Sequence, residues 1–259
     1  MNRILPLWPN EVPFSAQFPE QALPTLKEFS VEGSHGAIVL CPGGGYVKKA
    51  QQEGEPVAEM LNEAGISTYI LDYRLHPCHY LAPLTDALRA IRIVRSMGYE
   101  KVGIMGFSAG GHLACCASTM YTPGDPDSND SIEQFSSRPD ALIACYAVVS
   151  LLAFSDLGTR ISLLGDHASD PDLLQQFSTN LNVTKDTPPT FIWHTFTDNL
   201  VPVQSSLLLA EALASKGVPC EMHLYPEGRH GLGLAKECPR TAQWTKQCQS
   251  WLIAQGFAQ

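Results

Sequence analysis

Ser108 stands at the centre of a G-x-S-x-G pattern at residues 106–110. An apolar run at residues 101–105 comes before it, and a second apolar stretch at residues 111–117 has the character of a helix start. This context predicts a buried strand, a sharp turn and a helix, the arrangement that holds a serine in a strained and exposed position. We therefore interpret Ser108 as a nucleophile, with an ordinary Gly/Ser turn between strand and helix as the alternative.

A carboxylate and a histidine follow Ser108 in the chain at places where they can activate it. A serine hydroxyl is a weak nucleophile at neutral pH and needs a general base, which a third group orients. Asp198 lies just beyond the strand-like segment 189–195, and His230 lies in the loop after the strand-like segment 221–225. Because all three residues follow predicted strands, we expect them at the same edge of a sheet. The pattern predicts a catalytic triad of Ser108, Asp198 and His230.

Three consecutive glycines predict an oxyanion hole. The strand predicted at residues 36–41 runs into the sequence PGGGY at residues 42–46. Glycines let backbone amides face a ligand without obstruction by side chains. We predict that the donors are the amides of Gly44 or Gly45 together with that of Ala109, and a flexible turn is the alternative. Tyr46, at the end of this loop, is predicted to contact substrate as part of the wall of the site.

The elements that must position these residues alternate between strand and helix. Such alternation predicts an α/β fold with a mainly parallel sheet covered by helices on both faces. No repeat or linker divides the chain, so residues 1–259 are expected to form a single domain, with a polar loop at residues 121–138 and a lid-like insertion at about residues 150–188. Predicted strands are 36–41, 67–75, 101–105, 141–149, 189–195 and 221–225; predicted helices are 55–65, 82–98, the segment after Ser108, 204–216 and 241–254.

The composition excludes several classes of partner. The 259 residues carry a net charge of −9 and contain no run of Lys or Arg, which argues against binding to nucleic acid or an anionic membrane. No stretch approaches the ~20 apolar residues needed to span a bilayer, and the first ten residues, broken by prolines, are unlike a signal peptide. We expect a cytoplasmic location, where the eight cysteines stay reduced.

No metal or cofactor is expected. Cys78 lies close to His76 and His79, but this spacing without a second pair of ligands is weak support for a metal site. Elsewhere, Asp72 is expected to pair locally with Arg74.

Taken together, these motifs resemble those of the α/β-hydrolase superfamily and, within it, the compact carbohydrate acetyl esterases described as acetylxylan esterase-like or feruloyl-esterase-like. The resemblance covers almost the whole chain, although Pro42 stands where many relatives have a histidine that braces the glycine loop. The segments that carry it are residues 7–9, 42–46, 71–75, 106–114, 194–203 and 228–231.

The resemblance implies a mostly parallel sheet of about eight strands and a metal-independent serine esterase. Its substrate would be a small ester or an acetylated sugar or xylo-oligosaccharide, from which it removes acetyl groups. A general short-chain carboxylesterase and an arylformamidase-like hydrolase share all of these motifs, whereas a prolyl-type peptidase and a non-catalytic binding protein fit less well. A homo-oligomer is left open.

Some hydrolases carry the acid after the preceding strand, which leaves Asp166, Asp170 and Asp172 as alternatives to Asp198. His112, one turn into the helix that follows Ser108, is directed away from the serine by helical geometry. It is expected to have a packing or hydrogen-bonding role.

Overall fold

The computed structural model of the chain describes residues 3–155 and 157–259. Its eight strands form one sheet with the order β1-β2-β4-β3-β5-β6-β7-β8. The strands from β4 across to β8 run parallel, while β1 and β2 pair antiparallel at one edge. The predicted α/β class with a mostly parallel, eight-stranded sheet is confirmed. The strands are β1 (Ile4–Pro6), β2 (Thr25–Phe29), β3 (Gly36–Cys41), β4 (Ser67–Asp72), β5 (Lys101–Phe107), β6 (Leu142–Cys145), β7 (Thr190–Thr195) and β8 (Cys220–Tyr225).

Helices cover both faces of this sheet. The helices are α1 (Glu55–Glu63), α2 (Ala82–Ser96), α3 (Ser108–Thr119), α4 (Leu157–Leu164), α5 (Pro171–Gln176), α6 (Gln204–Ser215) and α7 (Trp244–Ala254). Successive side chains of β3 alternate between two separate apolar clusters, with Val39 in one and Ile38 in the other. The first cluster includes buried side chains of α2, α3 and α6, and the second includes those of α1 and α7. Because both faces are buried, the central strands are apolar throughout rather than alternating.

The two antiparallel strands were not among the predicted elements. β1 has three residues and ends at Pro6, which suits an edge because proline cannot donate to a neighbouring strand. Their short length leaves little periodicity for a sequence pattern to reveal. Their pairing extends the sheet beyond β4.

The segment between residues 150 and 188 contains α4, α5 and two short 3₁₀ turns. Its far end is tied to the stretch of chain that follows β6, since the Thr179 hydroxyl donates to the Val149 carbonyl at 2.9 Å and the Ser178 hydroxyl accepts from the Leu151 amide at 2.9 Å. Leu152, Phe154, Leu157 and Ile161 remain exposed. The near part of this segment therefore presents apolar side chains to solvent.

Arg74 is buried and bound to a distant residue. Its guanidinium donates to the two carboxylate oxygens of Asp86 on α2 at 2.9 and 2.7 Å, and both side chains are at most 2% exposed. Asp72 pairs instead with Lys49. The expected Asp72–Arg74 pair was wrong, because β4 ends at the exposed Asp72 while Arg74, two residues beyond, lies in the interior against α2.

Candidate active site

Ser108 occupies a sharp turn between β5 and α3. Its φ of 54° lies in the left-handed region, which is strained for a residue with a side chain. A Cβ on Gly106 would lie 2.0 Å from the Gly110 carbonyl oxygen, and one on Gly110 would lie 2.2 Å from the Cys41 carbonyl oxygen. Only glycine fits at both positions, so the G-x-S-x-G sequence permits this approach of strand, helix and neighbouring strand. Ser108 is left half-buried at the carboxyl edge of the sheet.

The structure brings Ser108, His230 and Asp198 into one hydrogen-bonded row. Ser108 Oγ lies 2.7 Å from His230 Nε2, and His230 Nδ1 lies 2.7 Å from Asp198 Oδ2. Since the carboxylate only accepts, Nδ1 carries the hydrogen and Nε2 is free to accept from the serine hydroxyl. This is the arrangement in which a histidine can remove the serine proton.

Four donors surround the Asp198 carboxylate, whose side chain is 1% exposed. Oδ1 accepts from the backbone amides of Leu200 and Val201, each at 2.9 Å, and Oδ2 accepts from His230, with His194 Nε2 at 3.3 Å. Burial alone would raise the pKa of Asp198, but the hydrogen bonds from His194 and His230 and the charge of His230 hold it well below its usual range. The carboxylate therefore stays ionised at neutral pH.

His194 is fully buried in β7. Its Nε2 donates to the Val201 carbonyl at 2.9 Å, and its Nδ1 lies 2.8 Å from the Ser206 hydroxyl. These contacts fasten the loop that carries Asp198 to the strand before it.

The glycine loop lies directly against the nucleophile turn. A Cβ on Gly43 would lie 3.0 Å from Cβ of Ser108. The Gly43 amide donates to Glu53 Oε2 at 2.8 Å, so it is not available to a ligand. Among residues 3–155 and 157–259, the amides of Gly44, Gly45 and Ala109 have no protein acceptor. These are the amides predicted as oxyanion donors, and that of Ala109 belongs to the unpaired first turn of α3.

Two buried side chains support this loop. The Tyr73 hydroxyl donates to the Pro42 carbonyl at 2.6 Å, and Glu53 holds the Gly43 amide. The Pro42 ring has no polar group with which to brace the loop. Tyr73 and Glu53 reach the same loop from the end of β4 and from the turn before α1.

Tyr46 is not an exposed wall of the site. Its side chain is 1% exposed, and its hydroxyl lies 2.8 Å from His112 Nδ1. His112 Nε2 donates to the Phe177 carbonyl at 2.8 Å, and burial lowers the pKa of His112 to about 4, so the imidazole is neutral and accepts from Tyr46. Contrary to the prediction that Tyr46 contacts substrate, it joins the glycine loop to α3 and to the 150–188 segment.

Asp170, one of the alternatives to Asp198 as the acid, caps a helix in the 150–188 segment. It is the N-cap of α5, where its carboxylate accepts from the amides of Asp172 and Leu173 at 3.0 and 3.3 Å. This is the ordinary role of an aspartate at a helix start.

Two buried residues next to the row, Glu53 and Tyr146, were not predicted from the sequence, whereas His194 was expected as a buried core histidine and is one. Tyr146 follows β6, and its hydroxyl donates to Glu53 Oε1 at 2.7 Å. No local pattern marks Glu53 or Tyr146, because they lie 93 positions apart in the chain.

The described part of the chain contains no group of three or more His, Cys, Asp or Glu side chains placed to hold a metal ion. None of the helices in that part is long and apolar enough to span a bilayer. The site contains a nucleophile bound to a base, a base bound to an orienting carboxylate, and unpaired amides beside the nucleophile. These parts suit acyl transfer through a tetrahedral intermediate.

Comparison with known proteins gives consistent results. Residues 27–213 match the BD-FAE family. The crystal structure of an acetyl ester-xyloside bifunctional hydrolase from Caldicellulosiruptor lactoaceticus superimposes with a TM-score of 0.95 and 42% identity, covering 99% of this chain and 97% of that one.

Two curated sequences are each 34% identical to the chain. They are endo-1,4-beta-xylanase B of Butyrivibrio fibrisolvens, matched over 77% of this chain, and an acetylxylan esterase of Xylanibacter ruminicola, matched over 83%. The match spans only 33% and 45% of the lengths of those two proteins.

Proposed function

The chain belongs to the BD-FAE family, and we propose that it is a serine esterase that removes acetyl groups from acetylated sugars or xylo-oligosaccharides. The observation that carries the reaction type is the hydrogen-bonded row from Ser108 through His230 to Asp198, with 2.7 Å at each step. A row of this kind activates a hydroxyl for attack on a carbonyl.

In the proposed mechanism, Ser108 Oγ attacks the acetyl carbonyl while His230 Nε2 takes its proton. The carbonyl oxygen becomes an oxyanion and is held by the amide of Ala109 with that of Gly44 or Gly45. Collapse of this intermediate breaks the ester C–O bond, and His230 returns the proton to the departing sugar hydroxyl. Water, deprotonated by His230, then attacks the acetyl-serine, and acetate leaves as Ser108 regains its proton. Asp198 keeps His230 in the required tautomer and stabilises the imidazolium.

The proposed substrate class rests on the relatives. The Caldicellulosiruptor structure, which matches over nearly the whole of both chains, is named for acetyl ester hydrolysis, and the Xylanibacter protein is named an acetylxylan esterase. The Xylanibacter name specifies acetyl groups carried on xylan, and the Caldicellulosiruptor name combines acetyl ester hydrolysis with xyloside hydrolysis. The triad alone specifies an ester or a related acyl compound, so the sugar is the part that most needs a test.

A substrate panel provides that test. We expect kcat/KM to be higher for acetylated xylo-oligosaccharides than for p-nitrophenyl butyrate, with release of acetate and no activity in Ser108→Ala. N-formylkynurenine and a prolyl peptide serve as probes for the two other acyl-transfer classes. Preference for N-formylkynurenine, or hydrolysis of p-nitrophenyl esters with no activity on any acetylated sugar, would contradict the proposed substrate.

A general short-chain carboxylesterase is the second candidate. Exposed apolar side chains at Leu152, Phe154, Leu157 and Ile161 in the 150–188 segment favour it, since such a surface suits an apolar alcohol better than a sugar. Addition of p-nitrophenyl acetate to the panel separates the two candidates, because a carboxylesterase would hydrolyse this aryl acetate at least as well as acetylated sugars.

We also propose that the protein works in the reducing cytoplasm. All eight cysteines are free, and five of them are buried. Unpaired thiols are typical of compartments where disulfides do not persist. Fractionation of the source cells with an antibody against the chain would test this location, and recovery from the cell envelope or the medium would contradict it.

A further inference from the structure

Glu53 is a buried carboxylate without a cationic partner. It lies in the 3₁₀ turn Gln51–Glu53 before α1 and is 1% exposed. Within the described residues, no lysine or arginine forms an ion pair with it. Burial of a carboxylate costs free energy unless hydrogen bonds satisfy its oxygens, so the partners of the Glu53 oxygens determine how this burial is tolerated.

Both carboxylate oxygens are bound to parts of the candidate active site. Oε2 accepts from the Gly43 amide at 2.8 Å, and Oε1 accepts from the Tyr146 hydroxyl at 2.7 Å. The Tyr146 oxygen in turn accepts from the Gly233 amide at 3.1 Å, three residues after His230. One continuous chain of hydrogen bonds therefore connects the glycine loop with the loop that carries His230.

Two further contacts reinforce this connection. The Gln52 side chain donates to the Gly231 carbonyl at 3.2 Å, next to His230 in the chain. The Tyr146 ring packs against the imidazole of His230 in an edge-to-face arrangement, with ring centroids 5.1 Å apart. The turn that holds Glu53 is thus in contact with the histidine loop at more than one point.

Glu53 and His230 also interact through their charges. The pKa of Glu53 is raised, because burial outweighs the hydrogen bonds from Tyr146 and Gly43 and the positive charge on His230, which act in the opposite direction. The charge of an ionised Glu53 attracts the imidazolium that forms when His230 removes the serine proton.

Other charged and titratable groups contact His230 or lie beside it in the chain. His230 contacts Ser108 and Asp198, and the neighbouring Arg229 donates to the His230 carbonyl and pairs with Glu237.

On the Glu53 side, Tyr73 and Cys145 are fully buried, and burial, with a smaller effect of the Glu53 charge, raises the pKa of each. Both are therefore neutral at pH 7. Glu53 is the second carboxylate, after Asp198, to act on His230.

We propose that Glu53 is a positioning residue that holds the oxyanion loop and the histidine loop together, and whose charge supports protonation of His230 during acyl transfer. This inference deepens the proposed esterase function and rests on it. In this proposal Glu53 and Tyr146 support the glycine loop, which the side chain of Pro42 cannot do.

Two variants separate the charge from the connection. Glu53→Gln removes the charge while an amide oxygen can still accept from Gly43, whereas Tyr146→Phe breaks the path to Gly233 and leaves the charge. Glu55→Gln is the matched control, since Glu55 lies two residues away, is exposed and pairs with Lys27. We would measure kcat and KM for p-nitrophenyl acetate from pH 5 to 9, with circular dichroism as the check on folding.

We expect kcat to fall on the order of 10-fold in both variants, with KM within about twofold of wild type, because the loss concerns the transition state. The acid limb of the profile should move to lower pH by about half a unit in Glu53→Gln only, since a nearby negative charge has been removed. Glu55→Gln should match wild type in every measurement.

Wild-type kcat and an unshifted profile in folded Glu53→Gln would overturn the proposal. If that variant does not fold, Tyr146→Phe decides, because unchanged kcat there would show that the connection is not needed. Failure of the esterase function has a separate signature. Wild-type protein would then hydrolyse none of the esters and would not react with an organophosphonate at Ser108, and the role of Glu53 would fall with it.

Discussion

Replacement of Asp198 by asparagine tests the orientation of His230. In the structure Oδ1 accepts from the amides of Leu200 and Val201, and Oδ2 faces His230 Nδ1. The amide side chain of the Asp198→Asn variant keeps the two backbone bonds only if its oxygen takes the Oδ1 position. Its NH₂ group then faces His230 Nδ1, where two donors oppose each other. The imidazole would escape this conflict by moving its hydrogen to Nε2, where it can no longer accept the proton of Ser108.

The opposite orientation of the amide moves the conflict between donors from His230 to the backbone amides. It restores an acceptor to His230 but turns the NH₂ group toward the amides of Leu200 and Val201, so two hydrogen bonds are lost. In the first orientation the shifted tautomer accepts from the NH₂ group at Nδ1, so no bond to the asparagine is lost, and at about 1 kcal/mol for each bond this orientation is preferred by about 2 kcal/mol, or roughly 30-fold. The variant also loses the negative charge that stabilises the imidazolium, which adds to the loss of kcat. A change of this kind lowers kcat about 10⁴-fold in a related triad, which corresponds to about 5.5 kcal/mol of transition-state stabilisation.

The assay is kcat and KM for p-nitrophenyl acetate at pH 7, with the rate of Ser108 labelling by an organophosphonate as a second measure. We expect a large loss of kcat, a small change in KM and slower labelling. Asp170→Asn is the matched control, because asparagine caps a helix about as well as aspartate and leaves α5 intact. Activity of Asp198→Asn within about 10-fold of wild type, or a greater loss in Asp170→Asn, would refute the assignment of the acid.

Four further outcomes are expected. Ser108→Ala should lose about 10⁴-fold or more in kcat while its circular dichroism stays that of wild type, and persistent turnover would exclude a serine mechanism. In a kcat/KM series with a fixed alcohol, acetyl esters should exceed butyryl esters and octanoyl esters should be nearly inert. Each methylene that fits the acyl pocket gains up to ~0.8 kcal/mol of binding free energy, whereas one that collides with the pocket wall costs more than this gain. Activity that rises through octanoate would therefore point to a lipase-like enzyme. Tyr46→Phe should lower the free energy of unfolding by about 1–3 kcal/mol, because His112 Nδ1 loses its donor, with KM unchanged; raised KM at full stability would return Tyr46 to the substrate site. Finally, the folded-state pKa of Asp198 lies below its value of about 4 in the unfolded chain, so its ionised form stabilises the fold above pH 4 and this contribution is lost as the pH falls further; urea unfolding should show the difference between wild type and Asp198→Asn shrinking from pH 5 to pH 3.

The sequence by itself determined the fold class and the order of the candidate catalytic residues. Gly106 is required by a contact within the turn itself, and the burial of each central strand follows from its own apolar run. Gly110 is required by the neighbouring strand, but the turn motif already includes it. Local sterics and local hydrophobicity leave patterns that can be read along the chain. The alternation of strands and helices then implies that the loops carrying Asp198 and His230 meet at one edge of the sheet.

Only the tertiary structure decided which buried polar groups are partners. Glu53 joins Gly43 to Tyr146, and Arg74 finds Asp86 rather than its near neighbour Asp72. A buried polar side chain must find a partner somewhere, but that partner is set by which strand lies alongside and by how each loop crosses the edge of the sheet.

Tyr46 illustrates the same limit. Its position after the glycine loop is plain in the sequence, yet its side chain turns inward to His112, 66 positions further along the chain. The direction of a loop side chain depends on a backbone conformation, here a φ of 61°, that residue type alone does not specify. The sequence therefore identifies which residues have the chemistry, whereas the packed structure determines which of them face the reacting atoms and which support those that do.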